Sequence, residues 1–99
     1  MDINTQLRLA VKTGEVAFGF KQALEAAKGG QAKLFIFSSN CPPRFKDEIQ
    51  VVASSTKTPL YYYKGSSLDL GLACGKRFAI STLTIKKHGD SDILRLGEE

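Results

Sequence analysis

The period of the apolar positions changes several times along the chain, and the changes divide it into elements. In "MDINTQLRLAVKTG", residues 1–14, Ile3, Leu7, Ala10 and Val11 share one helical face. Asp2 or Thr5 can cap that helix and Gly14 ends it. "EVAF", 15–18, is a short strand. "GFKQALEAAKGG", 19–30, returns to helical spacing through Phe20, Ala23, Leu24 and Ala27, and Gly29-Gly30 closes it. "KLFIFSS", 33–39, is a continuous apolar run without alternation, the pattern of a strand covered on both faces. In "PPRFKDEIQVVASSTK", 42–57, Phe45, Ile49, Val52, Ala53 and Thr56 fall on one face. A proline in that helix's first turn lacks only an N–H that would go unpaired there, and Asp47 and Glu48 sit early, where the helix dipole favours them.

The second half continues in the same way. "TPLYYYKG", 58–65, is a strand approached through a proline. "SSLDLGLACGK", 66–76, opens with Ser66 three residues before Asp69, an approximate capping box. "RFAISTLTIKK", 77–87, and "DILRL", 92–96, predict two strands flanking the turn "HGDS". Helices thus alternate with strands, which argues an α/β fold with helices on both faces of a small sheet. A closing hairpin would make that sheet mixed. With 99 residues and no repeat, linker or low-complexity segment, the expectation is one domain spanning 1–99.

Composition narrows the class. At 42% hydrophobic and 24% charged, the chain has the make-up of an ordinary soluble globular domain. No apolar stretch reaches the length of a membrane span, and the first residues lack a secretory signal pattern. Two cysteines, Cys41 and Cys74, make no disulfide framework and are expected to be reduced thiols in a cytosol. Charge is uneven: residues 1–89 carry thirteen Lys/Arg against six Asp/Glu, whereas residues 90–99 carry one against four. A basic body with a short acidic tail suits a polyanionic partner, and equally a lysine-rich solvated surface.

Three chemistries find little support. The lone His88 sits in a turn with no histidine or cysteine at ligand spacing, so no metal site is expected. Glycine-containing turns such as "ACGK" complete neither a Walker pattern nor a dinucleotide fingerprint, so no cofactor is expected. Cys41 lies just before a helix, where a thiol pKa can fall, but a catalytic cysteine needs a base in reach and only His88 exists. Cys74 fits a small packed hydrophobe.

Nucleic acid fits better. In a layered α/β fold the loops that follow strands gather at one end of the sheet. Four could converge: Gly19-Phe20-Lys21, Asn40 through Lys46 including Arg44, Gly65-Ser66-Ser67, and Gly75-Lys76-Arg77-Phe78. Glycine permits close backbone approach, Lys and Arg neutralise phosphate, the Asn40 amide suits a base edge, and an exposed phenylalanine offers a stacking face. Residue types alone leave Phe78 open as a core residue and Lys21 as a solvated one.

Read in order, "GEVAFGFKQALEAAKGGQAKLFIFSSN", "PPRFKDEIQVVAS", "TPLYYYKGSSLDLGLACGK" and "GDSDIL" closely resemble the L30e family of large-subunit ribosomal proteins of archaea and eukaryotes. That family belongs to the kink-turn-binding superfamily with L7Ae and S12e, and the compact length resembles the archaeal form. The resemblance implies a three-layer α/β/α sandwich with a small mixed sheet, in a non-enzymatic cytoplasmic protein of the ribosome. It implies a kinked internal loop of rRNA as partner, beside neighbouring ribosomal proteins, and a monomer off the ribosome. Matched by position, Gly19 and Lys21 fall in the family's first RNA-contacting loop. Asn40 takes the place of an asparagine that contacts a purine, Lys46 falls at a basic position, and Phe78 matches an aromatic that packs on an exposed base. With Phe20, Arg44, Ser66, Lys76 and Arg77 these are the candidate RNA-binding residues. Ser67, Leu68 and Ala79 replace two asparagines and an arginine of the eukaryotic members. Gly19-Phe20-Lys21 stands where the L7Ae branch has an Asn-Glu motif. A stand-alone kink-turn regulator that binds its own mRNA and a thiol-dependent enzyme remain the alternatives.

Overall fold

The structure, a computed structural model, describes residues 2–98. Its elements follow in the order α1 (Ile3–Thr13), β1 (Glu15–Phe18), α2 (Phe20–Lys28), β2 (Leu34–Phe37), α3 (Pro43–Thr56), β3 (Leu60–Tyr62), α4 (Ser67–Ala73) and β4 (Thr82–Lys87), closed by a 3-10 helix over Ile93–Glu98. Local signals account for most boundaries. Asp2 caps α1 by accepting from the Thr5 backbone N–H. Pro43 occupies the first turn of α3. Ser66 and Asp69 form a complete capping box on α4: Ser66 Oγ accepts from Asp69 N at 3.2 Å and Asp69 Oδ2 from Ser66 N at 3.0 Å. Past the C-cap of α2, Gly30 takes φ +68°, a left-handed turn that glycine adopts without a side-chain clash.

The four strands lie in the order β1-β4-β2-β3. β2 and β3 run parallel, and β4 runs antiparallel to both β1 and β2. β1, β2 and β3 therefore point the same way. Their C-terminal ends meet the start of β4, with Phe18 opposite Leu83, and Phe37 opposite both Thr82 and Tyr62. Every residue of β2 is buried, as a strand covered on both faces requires. Leu34 and Ile36 pack with Leu83, Ile85 and the residues of α1, α4 and the 3-10 helix. Phe35 and Phe37 face the other way, into a core with α2 and α3. At about 1.5–3 kcal/mol for each large side chain fully buried, these four positions alone make a large contribution to folding. The result is the three-layer α/β/α sandwich.

The sheet is mixed, but not through a closing hairpin. "DILRL" is not a strand: Ile93 and Leu96 lie in the 3-10 helix, where residues three apart share a side, and both are buried. The physical reason is topological. β4 is already flanked by β1 and β2, so it has no free edge for a hairpin partner. The turn is instead tied to α1, where Asp90 N donates to Thr13 Oγ1 at 2.8 Å and Asp92 N to Gln6 Oε1 at 2.6 Å. Nor does "RFAIS" extend β4. It runs beside α4, with Ile80 N donating to Ser67 O at 2.9 Å, and Gly71 gives it room, since a Cβ there would collide with the Phe78 carbonyl oxygen.

Among the described residues no three His, Cys, Asp or Glu side chains gather into a metal-binding group, and no helix is long and apolar enough to cross a membrane.

Candidate nucleic-acid interface

The strand directions bring the four predicted loops to one end of the sheet, and backbone hydrogen bonds tie them together. Gly19 N donates to Thr82 O at 2.9 Å, Ser38 N to Ser81 O at 3.0 Å, and Ser39 N to Gly65 O at 2.8 Å. Gly19 has φ +95°, a left-handed value that favours glycine, and open space where a side chain would stand. Lys21 follows in the first turn of α2 and is exposed.

Asn40 lies at the centre of this end. Its Oδ1 accepts from the Ser67 backbone N–H at 2.7 Å and from Ser38 Oγ at 2.9 Å, and its Nδ2 donates to Ser67 Oγ at 3.3 Å. A backbone N–H can only donate, so the atom facing it must be the amide oxygen. The carboxamide is thereby oriented, with its acceptor turned into the protein and one Nδ2 proton left for a partner. Asn40 itself is exposed. In the sequence Ser67 is a member of the third loop and a replacement for an asparagine; in the structure it is the residue that holds Asn40. No local signal marks that contact, because 27 positions separate the two residues.

Phe78 is half exposed, at 50% of its surface, and meets the ring of Phe18 edge-on with centroids 5.9 Å apart. It is therefore not a core residue: one edge is anchored and the remainder of the ring is open to a stacking partner. The Lys76 ammonium lies 5.6 Å from the Phe18 ring centroid, and Arg77 is exposed. On α3, the Arg44 guanidinium lies 5.1 Å from the Phe45 centroid and the Lys46 ammonium 5.9 Å from that of Tyr62. The sequence reading passed over Tyr62, which is exposed, receives a hydrogen bond from Gln50, and gives Lys46 its platform. It also passed over Lys64, exposed in the β3–α4 loop. Among the described residues the one ion pair, Lys87 with Glu15 at 3.8 Å, is at the far end of the sheet. Among the described residues, the cations of the loop end have no carboxylate within ion-pair distance.

Two candidates serve the scaffold. Phe20 stacks on Phe45 with centroids 4.3 Å apart and belongs to the seam between α2 and α3. The Ser66 hydroxyl is occupied by the capping box. Cys41 is buried, its Sγ 3.6 Å from Thr82 Oγ1. His88 follows the opposite end of β4, roughly 20 Å from Thr82 at about 3.3 Å per strand residue, so it is no base for this thiol. Burial pushes the Cys74 thiol up to about 11, against a smaller opposing pull from Lys76.

The sequence profile of the ribosomal protein L7Ae/L30e/S12e/Gadd45 family matches residues 1–95. A large ribosomal subunit protein eL30 from Trypanosoma brucei brucei is 44% identical over 91 residues, which cover 92% of this chain and 87% of that protein. The solved structure of a protein with unknown function from Bacillus halodurans has a TM-score of 0.85 and 27% identity, covering 99% of this chain and 98% of that one.

Proposed function

The chain belongs to the ribosomal protein L7Ae/L30e/S12e/Gadd45 family, and from that premise we propose that it is a constituent of the large ribosomal subunit in the cytoplasm, acting as a single domain that holds a kinked internal loop of rRNA. The observation that carries the reading is the oriented Asn40 amide, set among four joined loops with a half-exposed aromatic and with cations that have no ion-pair partner among the described residues. Each part has a role. Asn40 Nδ2 donates to an acceptor on a purine edge, such as guanine O6 or N7. Phe78 stacks on a base displaced by the kink. Lys21, Lys46, Lys76 and Arg77 neutralise phosphates, with Arg44 beside them. Gly19 lets the RNA backbone approach the protein closely. Phe20 and Ser66 keep the loops in place. No cofactor is needed, because recognition rests on fixed donors, charge and stacking. Off the ribosome the protein is a monomer; on it, neighbouring ribosomal proteins complete its surroundings.

The test is titration of a kink-turn RNA at several salt concentrations, with sedimentation of the tagged chain from cells. Four phosphate contacts give log K against log salt a slope of about −3 to −4, and Lys21→Ala reduces it by about one. The chain should travel with large subunits. A flat salt response would sink the electrostatic reading. Kink-turn binding without co-sedimentation would instead assign the chain a regulatory RNA such as its own transcript.

A further inference from the structure

On the α1 side of the sheet, α1, the edge strand β3 and α4 leave a groove of about 980 Å³ between them, at the large end of the range for ligand pockets. Three cations line it: Arg8 and Lys12, one turn apart on α1, and Lys64 just after β3. None has a carboxylate within ion-pair distance among the described residues. The one carboxylate on the lining, Asp69, is held in the capping box by the Ser66 N–H. Tyr61 and Tyr63 form the wall on the sheet side and are partly exposed. The Tyr63 hydroxyl donates to Asn4 Oδ1 at 2.7 Å, which fixes that ring across the groove.

A cationic track beside aromatic side chains is what single-stranded nucleic acid requires, since phosphates meet the charges and bases stack on the rings. An acidic peptide would use the cations and leave the rings idle. The groove also adjoins the loop end in two places. Lys64 and Gly65 lead directly into Ser66. Arg8 Nε lies 3.9 Å from the position a Cβ on Gly75 would occupy, next to Lys76 and Arg77. We propose that this groove takes an unpaired strand that runs on from a strand end of the kinked RNA held at the loop end, so that the bound RNA continues from the loop end onto α1. The proposal rests on the RNA-binding reading above and extends its footprint to a second surface.

The test compares a blunt-ended kink-turn RNA with versions carrying an extension of about five adenosines, within the usual span of single-strand sites, on each strand end in turn. Wild type is measured against the Arg8→Ala/Lys12→Ala double variant; both side chains are exposed, so the fold is not at stake. One extension should tighten wild-type binding by about tenfold, which is about 1.4 kcal/mol. The double variant should bind the blunt RNA within about twofold of wild type yet lose that gain, and its salt slope on the extended RNA should be smaller by about 1.4, at roughly 0.7 per single-strand phosphate. If no extension tightens binding, or the gain survives in the double variant, the proposal is overturned. Should the blunt RNA itself fail to bind, the loop-end reading fails and the groove is judged on the free adenosine oligomer at low salt. Binding that the double variant loses would uphold the groove, and no binding would overturn it. A glutamate peptide of equal length that competes equally well would also overturn the assignment to nucleic acid.

Discussion

Replacing Asn40 by Asp separates the two tasks of this side chain. The carboxylate keeps both acceptor bonds, from Ser67 N and from Ser38 Oγ. It loses the bond from Nδ2 to Ser67 Oγ, the longest of the three at 3.3 Å, and the serine hydroxyl can turn to donate to the new oxygen. Folding stability should therefore stay within about 0.5 kcal/mol of wild type, the usual range for a surface change with no special mechanism. RNA binding should suffer twice. The Nδ2 donor to the base is gone, at about 1–3 kcal/mol for a lost base-edge contact. A negative charge is also brought near phosphate, at about 1 kcal/mol for 4 Å in water. The combined loss is about 2–4 kcal/mol, or roughly 30- to 700-fold in Kd. Asn40→Ala removes all three bonds and leaves Ser67 N and the buried Ser38 hydroxyl without their partner, so it should cost about 1–2 kcal/mol of stability as well as affinity. The assay is fluorescence anisotropy with a kink-turn RNA and a plain duplex, alongside urea unfolding of each variant. If Asn40→Asp binds the kinked RNA as wild type does, the amide reads no base. If it unfolds as easily as Asn40→Ala, the amide oxygen does not face Ser67.

Phe78→Ala should weaken RNA binding by about 1–3 kcal/mol, the range for one base–aromatic stack, with little change in Tm because half the ring is already exposed; a large Tm drop at unchanged affinity would make its contact with Phe18 structural. Gly71→Ala should destabilise by about 1–3 kcal/mol, as overpacking does, because the new Cβ would push the Phe78 carbonyl away from α4; unchanged urea midpoint and affinity would refute that packing. Cys74 should make stability fall as pH rises from about 9 to about 11, since its folded pKa is raised from 9.0 to about 11 and the folded state then holds the proton that the unfolded state has lost. Urea midpoints across that window should decline more steeply for wild type than for Cys74→Ala, and parallel declines would show that the thiol is not desolvated.

Much of this protein was legible in local sequence because the interactions concerned are local. Helical spacing, the Asp2 cap, the Pro43 start of α3 and the Ser66–Asp69 capping box each join residues within about four positions of one another, and each is present. The unbroken apolar run of β2 announced burial on both faces, since no polar residue interrupts it. The order of motifs was enough to place the chain among its relatives. Other features depended on which strands became neighbours, and no local pattern encodes that. "DILRL" is a short run rich in branched apolar residues, as a strand would be, yet β4 had no edge left to pair with it, and Ile93 and Leu96, three apart, found burial against α1 as a 3-10 helix. Phe78 has the composition of a core position, and only the path of residues 75–81 along α4 leaves half of it in solvent. Asn40 was recognisable as a candidate, but its orientation comes from a serine 27 residues away. The groove on α1 gathers side chains from three elements. Such features follow from side chains meeting across the packed layers, so they exist only once the sheet order has brought distant segments together.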